Sequence, residues 1–66
     1  MNEVRRLILQ KVKASMEGII EQLKKVSQDE AREGSFESKE RADVLEGLAA
    51  GFEAGVEVLQ EQVLDA

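Results

Sequence analysis

Cysteine, histidine, proline, tryptophan and tyrosine are all missing from this 66-residue chain, and its only aromatic residues are two phenylalanines. Without cysteine or histidine it can form no disulfide, no zinc site of the usual ligand set, and no Cys–His or Ser–His nucleophile pair. Without proline, and with five glycines, it lacks most of the turn chemistry that an all-β fold needs. Long apolar runs are also missing. After Arg5 and Arg6 comes only Leu7-Ile8-Leu9 before Gln10 and Lys11, short of the roughly 7–15 apolar residues of a secretory signal. No stretch approaches the roughly 18 uncharged residues of a membrane span. These absences lead to the expectation of a soluble, cytoplasmic protein. The net charge of −5 opposes attraction of the whole molecule to nucleic acid or anionic lipid.

What the chain does contain is two blocks of periodic apolar residues separated by a polar stretch. From Ser27 to Asp43 only Ala31, Phe36 and Ala42 are apolar. Gly34 is the strong helix stop there, and Ser35 follows as an N-cap with Glu37 in the next first turn. The spacing predicts helix 1 over about residues 3–33, a turn at 34–35 and helix 2 over about 36–64, as one helical-hairpin domain covering 1–66. Ser27-Gln28-Asp29-Glu30 also fits a capping box, which would let helix 1 bend or restart near Val26. One long helix running through Gly34 is the alternative to the hairpin.

Leu9, Val12, Met16, Ile19, Leu23 and Val26 alternate at spacings of three and four, and so do Ala42, Leu45, Ala49, Phe52, Val56, Leu59 and Val63. Heptad seams of that length on both sides of one turn predict an antiparallel pair packed like a coiled coil. Residues 1–34 carry seven basic and six acidic side chains, net +1, whereas residues 35–66 carry two basic and eight acidic, net −6. An antiparallel pairing brings the basic start of helix 1 beside Glu57, Glu61 and Asp65, which favours it over a parallel one.

A lone hairpin lets each helix bury only the stripe that faces its partner. Helix 2 has more apolar surface than that, because Val44, Leu48 and Val58 lie beside its seam together with Gly47, Gly51 and Gly55. Ile8 and Ile20 widen the stripe of helix 1 in the same way. The expected fold is therefore all-α, an antiparallel two-helix hairpin dimerising into a four-helix bundle.

Each interior glycine weakens a helix by about 0.8–1 kcal/mol relative to alanine. The row Gly47, Gly51, Gly55 therefore suggests either a close helix crossing or a groove that receives a partner. It is not a membrane dimerisation motif, since Glu46, Glu53 and Glu57 interrupt the segment. Phe52 belongs to the core seam. Phe36, beside the turn, either caps the end of the bundle or, if exposed, is a partner anchor.

Little else points to chemistry. Glu53, Glu57, Glu61 and Asp65 recur every four residues, the pattern of a solvated acidic stripe rather than of a metal site. No serine has a lysine three residues on, and the glycines lie in helices rather than in a phosphate-binding loop. The expectation is no enzyme, no cofactor and no metal. The expected partners are a second copy of the chain, or several, and another protein, with the molecule acting as a regulator, adaptor or inhibitor. An assembly subunit is one alternative. Another is RNA or DNA binding through Arg6, Lys13 and Lys24, which Glu17 and Glu21 interrupt and no aromatic supports by stacking. A last one is an acidic nucleic-acid mimic built on helix 2.

Overall fold

Asn2 and Gly34 bracket the first helix. A computed structural model of the chain describes residues 2–65, and in it helix α1 spans Glu3–Glu33. The Asn2 side chain accepts a 2.8 Å bond from the Arg5 backbone N–H, satisfying one of the N–H groups that a helix start leaves unpaired. At the other end Gly34 takes φ 82°, the left-handed conformation that ends a helix at little cost only in glycine. Arg32 sits in the last turn, where a cation complements the helix dipole.

Helix α2 spans Phe36–Leu59 and is capped by Ser35. The Ser35 hydroxyl accepts from the Ser38 N–H at 3.1 Å and donates to the Ser38 hydroxyl at 2.9 Å. The chain thus reverses within Gly34-Ser35, and α1 and α2 run antiparallel. The last turn, Gln60–Leu64, is wound as a π-helix, closed by the Asp65 N–H donating to the Gln60 carbonyl at 2.8 Å. Among the described residues the fold is all-α.

The seam of α2 follows its heptads: Ala42 and Ala49 are buried, and Leu45, Phe52, Val56, Leu59 and Val63 are half-buried. The π turn carries one extra residue per turn. This swings Leu64 inward, to 3% exposure, beyond the reach of a strict heptad count.

Helix α1 differs from its expected seam. Leu9, Met16 and Leu23 lie on it, but Val12, Ile19 and Val26 are exposed, and Arg6, Lys13, Ile20 and Ser27 take the other half of the contact. Both registers share Leu9, Met16 and Leu23, so apolar spacing alone does not separate them. Cross-helix bonds decide it. The Ser27 hydroxyl, buried to 2% exposure, donates to the Ala42 carbonyl at 2.9 Å. Arg6 Nη1 donates to the Leu64 carbonyl at 2.6 Å, and Lys13 Nζ to Gln60 Oε1 at 2.7 Å. The two cationic side chains lay their apolar stems along the seam and deliver the charge to an oxygen. Ser27 therefore serves the contact between helices, and α1 continues past it without a capping box.

The result is thin. Its extents are 50 × 16 × 11 Å, long and narrow as a single layer of two paired helices must be. The radius of gyration, 15.0 Å, exceeds the about 11 Å of a compact domain of this length. Ala49, at 2% exposure, has no room to grow. Ala49→Leu is expected to lower stability by about 1–3 kcal/mol through overpacking, read as a fall in the melting temperature by circular dichroism at fixed protein concentration.

Candidate functional site

The heptad positions beside the seam divide the hairpin into two unlike faces. On one face stand Lys24 and Gln28 of α1 and Glu46, Ala50 and Glu53 of α2, lining a shallow groove. Lys24 and Glu53 form an ion pair across it, and Lys13 reaches Gln60 on the same side. Lys13 also pairs with Glu17 at 3.7 Å. Arg6, Lys13 and Lys24 are thus all engaged within the chain.

The opposite face is apolar. Val12, Ile19 and Val26 run along it on α1, and Val44, Leu48 and Val58 on α2, all exposed. Ile8 lies beyond them at 55% exposure, while Ile20 is buried in the seam. Val26, Val44 and Leu45 line one depression together with Arg41 and Glu30. Met16, Gly47, Leu48, Gly51 and Phe52 line another. Six large aliphatic side chains on one face of so small a chain make a patch of the kind that marks an interaction site.

The glycines of α2 differ from one another. A β-carbon on Gly55 would lie 3.2 Å from Met16 Cε, so Gly55 makes room for the methionine within the hairpin. A β-carbon on Gly47 or Gly51 would meet nothing within 4 Å. The close crossing inside one hairpin therefore accounts for Gly55 and leaves Gly47 and Gly51 without an intramolecular reason. Gly18 on α1 is equally open and lies away from the seam, so no contact within the hairpin calls for a glycine there.

Phe36, at 75% exposure, stands free at the start of α2 and does not cap the end of the hairpin. That end is closed instead by Ser38, fully buried, and by Arg41. The Arg41 Nε donates to Glu30 Oε2 at 3.1 Å, Nη2 lies 3.1 Å from the same oxygen as an ion pair, and Nη2 donates to the Ser38 hydroxyl at 3.1 Å. The hydrogen bond it donates to Glu30, and then the charge of that carboxylate, hold the pKa of the Arg41 guanidinium above its ordinary value.

The acidic residues of α2 do not converge. Glu57, Glu61 and Asp65 are exposed, and Asp65 accepts from the Gln60 amide at 2.6 Å. Among the described residues no three acidic side chains are grouped so as to hold a metal ion. The basic start of α1 meets the end of α2 through the Leu64 carbonyl rather than through a carboxylate. Among the described residues no helix is long and apolar enough to cross a membrane.

Sequence spacing identified Val44, Leu48, Val58 and the glycine row as a surface beyond the seam. It did not separate Val12, Ile19 and Val26 from the core, and it gave no sign of the buried Ser27 and Ser38. Gly18→Ala is expected to raise stability by about 0.8–1 kcal/mol, the full helix-propensity difference. Gly55→Ala is expected to gain less, because the Met16 methyl must move. Thermal or urea unfolding of the two variants side by side checks the contrast.

Compared with family models, with curated proteins and with solved structures, the chain matches none, so its function is argued from the two faces of the hairpin.

Proposed function

We propose that this protein is a non-enzymatic protein–protein interaction module that works as a homo-oligomeric helical bundle, most simply a dimer of hairpins. The observation that carries the reading is the uncovered face: Val12, Ile19, Val26, Val44, Leu48 and Val58 are exposed together on a hairpin that is one layer of two helices. The chain exposes 4934 Å², against about 4,200 Å² for a compact monomer of its mass. The same scaling gives about 6,900 Å² for a compact particle of twice the mass. Pairing two hairpins would then bury on the order of 3,000 Å², a value within the range of obligate dimers. Gly47 and Gly51, open in the single hairpin, gain a purpose if another helix approaches them.

The outer surface of such a bundle is available to a further protein. It carries the acidic side chains of α2 and the exposed Phe36, features that suit a regulator, adaptor or inhibitor. Nucleic acid is the weaker alternative, because Arg6, Lys13 and Lys24 already have partners within the chain.

Light scattering at micromolar concentration is expected to give about twice the chain mass of 7.3 kDa, with a melting temperature that rises with protein concentration. Leu48→Glu places a charge in the apolar face and is expected to shift the mass towards the monomer. A wild-type chain that is monomeric, fully helical and cooperatively folded at these concentrations overturns the reading.

A further inference from the structure

Resting on that reading, we infer which way the second copy sits: helix α1 of each chain lies on α2 of the other, both turns emerge at the same end of the bundle, and Ile19 seats over Gly51 of the second copy.

The argument starts from level. Ser27 meets Ala42, Arg6 meets Leu64 and Met16 meets Gly55, so residue numbers at one height of the hairpin add up to about 70. Val12 is therefore level with Val58, Ile19 with Gly51 and Val26 with Val44, to within about one residue or 1.5 Å. A two-fold axis parallel to the helices preserves height. It brings each of these pairs together between chains, a large side chain onto a glycine at the middle and valine against valine on either side. The open space at the Gly51 β-carbon is then where the isoleucine goes.

A two-fold axis across the helices is the other way to bring the same faces together. It sets α1 on α1 and α2 on α2, with the turns at opposite ends. Centred on Ile19 and Gly51, it opposes two isoleucines on one side and two glycines on the other, so the helices would be forced apart on one side and brought together on the other.

Cross-linking tests this, because the chain has no cysteine of its own. Ile19→Cys and Gly51→Cys chains mixed in equal amounts are expected to give the mixed disulfide dimer on oxidation. Ile19→Cys alone should not cross-link, since the two α1 helices are diagonal. The arrangement with turns apart gives the opposite result, with each variant cross-linking to itself, and rapid, complete cross-linking of Ile19→Cys alone overturns the proposal. A wild-type chain that never dimerises defeats the bundle reading itself, whereas a dimer in which Ile19→Cys cross-links to itself defeats only the orientation.

Discussion

A helix in a two-helix hairpin has one neighbour, and everything in this structure follows from that shortage. Each helix presents apolar residues over an arc wider than one neighbour can cover. The chain must therefore choose which stripe to bury internally, and it chooses the one that polar groups can lock. Ser27 against the Ala42 carbonyl, Arg6 against the Leu64 carbonyl and Lys13 against Gln60 fix the rotation of α1. Small residues at Ala42, Ala49 and Gly55 let the backbones approach. The purely aliphatic positions, Val12, Ile19 and Val26, are left facing outward because they need no specific partner atom and can be satisfied by any apolar surface.

This division gives the two faces different physics. On the face of Lys24 and Glu53 the helices are tied by exposed polar contacts, each worth about 0–1 kcal/mol and reduced by salt. On the other face there are no such ties across the middle, only side chains whose burial would contribute about 25 cal/mol for each square ångström of apolar surface removed from water. A surface of the second kind is indifferent to small changes of geometry, so its orientation has to come from its relief, the open space at Gly51 and the exposed bulk of Ile19.

Much of the architecture was legible from residue spacing. Gly34-Ser35 carries both the left-handed stop and the next N-cap, so the turn could be located, and the heptads of α2 name the residues that line its seam. The rotation of α1 was not legible, because Leu9, Met16 and Leu23 belong equally to two registers, and the winner is chosen by hydrogen bonds from Ser27, Arg6 and Lys13 that apolar counting ignores. Leu64 was hidden for a related reason: a π turn breaks the period from which burial is read. Phe36 illustrates the opposite error, since a large aromatic beside a turn suggests a plug, whereas the place is already filled by Ser38 and the Arg41–Glu30 pair.

The bond from Arg6 to the Leu64 carbonyl has a consequence for how the two ends of the molecule tolerate change. Its acceptor is a backbone oxygen, which every residue type supplies, so the identity of only one side chain, Arg6, decides whether the bond forms. At the turn end, the contact between Arg41 and Glu30 needs both side chains. The open end of the hairpin, where fraying would normally begin, is thus latched by a contact with one point of failure, and the turn end by a contact with two.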